Sequence, residues 1–162
     1  MARGMRAVEV VLSEAGTAAD FAAARRLFQE YAHQLPIDLG FQGFEAELER
    51  LPDRYSPPGG CLLIGRCGGD GVACGGVRGL GPQDCEMKRL YVRPETRGSG
   101  LGRRIAQALV GRARELGYAH VYLDTLESMA AARAIYRSLG FRETAPYYLN
   151  PFPGVIYMEL DL

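Results

Sequence analysis

Val8, Val10 and Leu12 alternate with other positions at the start of the chain, which predicts a first strand. The period then changes. Thr17 and Asp20 have capping-box spacing, and Phe21, Ala24, Phe28, Tyr31 and Leu35 share one face of the helix that follows. Phe41, Phe44, Leu48 and Leu51, three and four apart, predict a second short helix stopped by Pro52. Asp53–Gly60 reads as a proline- and glycine-rich loop. Cys61–Arg66 and Val72–Leu80 read as strands joined by a hairpin turn at Gly68-Gly69-Asp70-Gly71, and Cys85–Val92 as the next strand. Ile105, Ala108, Leu109, Arg112, Ala113 and Leu116 place an apolar stripe, edged by Arg112, on a helix that Gly117 caps. His120–Leu126 is a strand by its branched and aromatic content. Ser128 is placed to cap a helix Met129–Leu139, which Gly140 ends, and a final hairpin completes the order β-αα-βββ-α-β-α-ββ.

Between the Cys85–Val92 strand and its following helix lies Arg97-Gly98-Ser99-Gly100-Leu101-Gly102. Alternating glycines let backbone N–H groups approach a bulky anion, and the helix aims its unpaired N–H groups and dipole at the same point. Strand, loop and helix make a diphosphate cradle. An ATPase phosphate loop is absent, and the dinucleotide fingerprint fails because its third glycine would fall on Arg103 or Ile105.

Arg97-x-x-Gly100-x-Gly102 resembles the Gln/Arg-x-x-Gly-x-Gly/Ala motif of the GNAT superfamily of acetyl-CoA-dependent N-acetyltransferases. Ala132-x-x-x-Tyr136-x-x-x-Gly140-Phe141 is similar to that family's helix carrying a catalytic tyrosine. Residues from about Cys85 to Phe141 carry the resemblance; the earlier half matches in layout. It implies an α/β (α+β) GNAT fold with a central, mainly antiparallel mixed sheet flanked by helices. It also implies acetyl-CoA as cosubstrate, held by Arg97, Gly98, Ser99, Gly100, Leu101, Gly102 and Arg103 and by backbone groups of Leu90, Tyr91 and Val92. Met129 departs from the family pattern, standing where many members carry Asn.

Composition adds bounds. With 162 residues and 48% hydrophobic content, the expectation is a single domain with one good core. Lys plus Arg (19) equals Asp plus Glu (19), so no global field draws the protein to nucleic acid or anionic membrane. Between Glu86 and Arg104, however, six cations face only Glu86 and Glu95. Arg97 and Arg103 beside the glycines read as phosphate partners; Lys88 and Arg112 read as a solvated basic face. Met1–Arg6 has no apolar run behind it, and no window approaches the ~18 apolar residues of a membrane span. Cys61, Cys67, Cys74 and Cys85 lack metal-ligand spacing, so the chain reads as a metal-free cytoplasmic protein with reduced, buried cysteines. A homodimer is left open.

Acetylating an amine requires a base for the ammonium, donors for the developing oxyanion and a proton for the departing thiolate. Glu86 is the base candidate: apolar neighbours would raise a carboxylate towards neutrality, although an acid near Lys88 and Arg89 also reads as a salt-bridge partner. Asp124 is the alternative, as base or as ammonium anchor. The resemblance gives Tyr136 the general-acid role and the Leu90 N–H the oxyanion, whereas a core tyrosine is the plain alternative. Cys85 has no adjacent histidine, which argues for direct transfer rather than an acetyl-enzyme. For the acceptor, the fold implies a pocket lined by Tyr31, Phe41, Phe44, Tyr55, Tyr147, Tyr148 and Phe152, suited to a small amine or amino acid with an apolar part. A protein or peptide N-acetyltransferase and a non-catalytic acyl-CoA-binding regulator stay open beside it.

Overall fold

The structure, a computed structural model, describes residues 9–162; Val8 lies outside the described residues. The chain runs β1 (Val10–Glu14), α1 (Ala18–Gln34), a 3-10 turn (Leu39–Gln42), α2 (Phe44–Glu49), α3 (Leu51–Arg54), β2 (Cys61–Cys67), β3 (Asp70–Gly79) and β4 (Asp84–Val92). A second 3-10 turn (Pro94–Thr96) precedes α4 (Leu101–Glu115), β5 (His120–Leu126), α5 (Ala130–Ser138), β6 (Arg142–Thr144) and β7 (Val155–Asp161). The strands form a seven-stranded sheet in the order β1-β2-β3-β4-β5-β7-β6, antiparallel throughout except for the parallel β4–β5 pair.

The expected mixed sheet is therefore present, with helices on both faces. One apolar cluster joins Ile105, Leu109 and Ala113 of α4 to Tyr136 and Phe141. The other joins Phe21, Leu27 and Phe28 of α1 to Phe44, Leu48 and Leu51. Two strand glycines allow this close layering: a Cβ on Gly75 would come 2.9 Å from Leu109 Cδ1, and one on Gly76 would come 2.6 Å from the Tyr55 ring.

The capping box forms as expected, with Asp20 N–H donating to Thr17 Oγ1 and the Thr17 N–H to Asp20 Oδ2. Three expectations need correction. Pro52 does not stop a helix; it sits in the first turn of α3, where a missing N–H leaves no bond unmade. Ser128 does not cap α5, because the helix begins one residue later, with Met129 at the N-cap and no side-chain cap. Lys88 is not on a solvated face: it is 6% exposed, and Arg89 beside it is 5% exposed.

Candidate active site

The sheet opens between β4 and β5. Their pairing runs through Asp84–His120 and Cys85–Val121 and ends at Glu86–Tyr122. Beyond that point β4 departs from β3 as well. Cys74 faces Tyr91 and Gly76 faces Lys88, so β4 spends three steps where β3 spends two, and Arg89 and Leu90 have no register partner. This is a β-bulge, and Arg89 takes φ 61° within it. β4 is thus splayed at Leu90, the residue whose N–H the resemblance offers to the oxyanion, though nothing in the sequence pattern marks the break.

The bulge also sends Lys88 and Arg89 to the same side of the sheet. Met87 and Leu90 pack in the α4 cluster, while Arg89 meets α2 and Lys88 meets Gln42. Two buried cations on one face need counter-charges. Arg89 forms a fork with Glu47, Nε to Oε2 at 2.9 Å and Nη2 to Oε1 at 3.0 Å. Burial pushes the Glu47 carboxyl up, but the hydrogen bonds and charge of Arg89 outweigh this and hold it below its ordinary value. Lys88 lies 3.4 Å from Glu86 Oε1, and burial pushes its amine down against the pull of Glu86.

Glu86 is 2% exposed and has both oxygens engaged. Oε1 accepts from Arg78 Nε at 3.1 Å and faces Lys88; Oε2 accepts from the Tyr147 hydroxyl. The apolar flanks expected around this carboxylate are therefore replaced by two cations and a phenol. Asp124 differs. It lines the cleft with Tyr31, Met87, Lys88, Arg89, Leu90, Thr125, Met129 and Tyr136, and its bonds from Tyr148 Oη and Asn150 Nδ2 both fall on Oδ2. Gln42 links the two acids, accepting from Lys88 Nζ at 3.3 Å and donating to Tyr148 Oη at 2.9 Å.

Tyr136 reaches the cleft from the α4 side, its ring edge-on to Phe141 at 5.8 Å. Burial, followed by the nearby Tyr31 and Asp124, pushes its hydroxyl up, so it stays a proton donor at neutral pH. The same holds for Tyr147 and Tyr148, raised first by burial and then by the carboxylates they face. Met129 Sδ is the acceptor 3.8 Å from Thr125 Oγ1.

The remaining expected wall residues divide. Tyr31 lines the cleft. The Phe41 and Phe152 rings meet at a tilt, 5.3 Å apart, and Tyr147 and Tyr148 of the β6–β7 loop pack on Tyr157 of β7. Phe44 and Tyr55 are buried in the α1 cluster instead; Phe44 lies under the Arg89 guanidinium, and Tyr55 donates to Glu47. A second groove beside the cleft has Pro36, Ile37, Leu126, Phe152 and Pro153 as its apolar walls. Of the three expected catalytic side chains, Asp124 and Tyr136 line one cleft and Glu86 does not; Gln42, Glu47, Arg78 and Asn150, which the sequence reading does not single out, complete the polar network around them. Glu47 carried a signal: it occupies a turn of the apolar stripe Phe44-Leu48-Leu51, where a charge implies a buried partner.

At the cradle, Gly98 and Gly100 take φ 83° and 77°, conformations that a side chain disfavours. Gly100 begins α4 with no side-chain cap, so the N–H groups of Leu101, Gly102 and Arg103 point out of the helix unpaired. Arg97 is tied back, donating to Val92 O and to Gln34 Oε1, both at 2.9 Å. Ser99 Oγ donates to Thr96 O. Gly102 has a packing role: a Cβ there would come 3.3 Å from Ile135 Cδ1. Open donors, left-handed glycines and exposed arginines suit a diphosphate such as that of coenzyme A. Among the described residues, no group of three or more metal-ligating side chains forms, and no helix is long and apolar enough to cross a membrane.

Comparison with known proteins agrees with this geometry. The Acetyltransferase (GNAT) family matches residues 21–141. An uncharacterised N-acetyltransferase of Schizosaccharomyces pombe is 42% identical over 140 residues, covering 85% of this chain and 86% of the relative. An IAA acetyltransferase of Azospirillum brasilense is 33% identical over 107 residues, covering 62% of this chain and 67% of its own. In structure, yncA of Salmonella typhimurium, solved with its cofactor acetyl-CoA, superposes with a TM-score of 0.70 at 20% identity, covering 94% of both chains. The family match spans the cradle, the bulge and the tyrosine helix together, and so the chain belongs to the GNAT family of acetyl-CoA-dependent N-acetyltransferases.

Proposed function

We propose that this protein, acting as one domain, acetylates the primary amine of a small molecule by direct attack in a ternary complex. The observation that carries the reading is the contrast between the two acids. Asp124 lines the cleft with Tyr136 and Leu90 and keeps Oδ1 clear of the bonds on Oδ2, whereas both oxygens of Glu86 are taken. Acetyl-CoA supplies a thioester carbonyl open to amines and a thiol leaving group. Its diphosphate lies on the Arg97–Arg103 loop, and backbone groups of Leu90, Tyr91 and Val92 line its arm. Asp124 Oδ1 anchors the acceptor ammonium and takes its proton. The Leu90 N–H donates to the carbonyl oxygen as charge develops there, and the Tyr136 hydroxyl gives its proton to sulfur. Glu86 fixes the Arg78, Lys88 and Tyr147 side chains around the site.

The apolar groove of Pro36, Ile37, Leu126, Phe152 and Pro153 supports an acceptor with an apolar body. Buried thiols are poor nucleophiles: burial pushes Cys85 up to about 12, which favours direct transfer. Four free cysteines suit a cytoplasmic location. Steady-state kinetics of the two acid variants tests the assignment. Asp124→Asn is expected to cost about 10²–10⁴ in kcat. Glu86→Gln is expected to cost much less. The reverse pattern would make Glu86 the base.

A further inference from the structure

Among the described residues, Arg89 is the one non-glycine with positive φ, at 61°. A side chain disfavours that conformation roughly tenfold or more in population, so something must hold it. Everything around Arg89 points it the same way. Its guanidinium is forked onto Glu47, which is 0% exposed and takes a further bond from Tyr55 Oη at 3.2 Å. The Phe44 and Tyr31 rings lie 5.3 and 6.0 Å from its Cζ. Its carbonyl accepts from Cys74 Sγ at 3.4 Å. A buried ion pair adds little net stability, because desolvation offsets most of its attraction. What a two-bond fork does supply is direction.

We infer that the Glu47–Arg89 pair is a positioning device: it holds residue 89 left-handed, so that β4 bulges and the Leu90 N–H turns out of the ladder towards the acetyl-transfer cleft. The inference rests on the reading of Leu90 as the donor to the thioester oxygen. Neither Glu47 nor Arg89 moves a proton in this scheme; both act through the backbone of Leu90. Tyr31 is shared, packing on Arg89 and lining the cleft, so the clamp also fixes one wall of the site.

The test compares Arg89→Gly with Arg89→Ala, each in a Glu47→Gln background. The two double variants lose the same charges and differ by one methyl group, but only glycine accepts positive φ freely. Two quantities are read: kcat for an amine acceptor, and the change in the Leu90 amide resonance when acetyl-CoA is added. The glycine variant is expected to keep a kcat about tenfold above the alanine variant, with the acetyl-CoA KM alike in both. The Leu90 amide should respond to acetyl-CoA in the wild type and the glycine variant, and much less in the alanine variant. Equal kcat and equal amide responses in both variants, with a normal wild-type response, would overturn the clamp alone. A wild-type Leu90 amide that ignores acetyl-CoA would overturn the parent reading and the clamp with it. If the double variants do not fold, Glu47→Gln alone keeps the volume and one acceptor for Arg89. It is expected to lower kcat about tenfold at unchanged acetyl-CoA KM, and an unchanged kcat there would likewise overturn the clamp.

Discussion

Tyr136 has a packing role in the structure and, in the proposed mechanism, a chemical one at the other end of the side chain. Its ring packs on Phe141 within the core, and the residue lines the cleft opposite Tyr31. Tyr136→Phe removes only the hydroxyl, so thermal unfolding and acetyl-CoA affinity should stay close to wild type while kcat falls about 10²-fold or more. Steady-state kinetics beside a melting curve checks this; full activity would leave the tyrosine with its packing role alone. Residues of this kind were legible in the sequence, because a short motif fixes their position. Gln42 and Asn150 were not, since each matters only through partners far along the chain, such as the 46 positions between Gln42 and Lys88. Lys88 was misread for the same reason. A charge run looks solvated until the bulge that turns two of its members inward is known.

At the scale of elements, the start of α4 carries the proposed coenzyme site. Gly100 has open space where a Cβ would stand, so nothing in the fold forbids a side chain there except its φ of 77°. Gly100→Val forces a β-branched residue into that conformation and sets bulk over the unpaired N–H groups. Acetyl-CoA affinity by calorimetry should drop at least about tenfold, with α4 intact by circular dichroism. Unchanged affinity in the folded variant would put the diphosphate elsewhere. Strand and helix identities followed from periodicity, and His120–Leu126 appears with the expected bounds. Boundaries set by proline and serine were less legible, because Pro52 fits a first turn as well as it ends a helix, and α5 starts without a side-chain cap. The β4 bulge left no mark on the pattern, since it depends on Glu47, 42 positions away.

Over the whole molecule, the proposed site sits where the sheet opens between two strands. β4 and β5 part after Glu86–Tyr122, and the gap opens between the α1 layer, which contributes Tyr31, and the α5 layer, which contributes Tyr136. The layout of strands and helices was legible from pattern and the family resemblance together. The acceptor was not, because the groove proposed for it is assembled from Pro36, Leu126 and Phe152, residues that share no motif. The central claim is acetyl transfer to a small amine inside this cleft. It is tested most directly by incubating the protein with acetyl-CoA and panels of apolar amines, amino acids and lysine peptides, while following release of free thiol. The account predicts turnover with a small amine bearing an apolar body, abolished by Asp124→Asn, and little with peptides. Turnover confined to peptides, or transfer to a small amine that Asp124→Asn leaves intact, would contradict it.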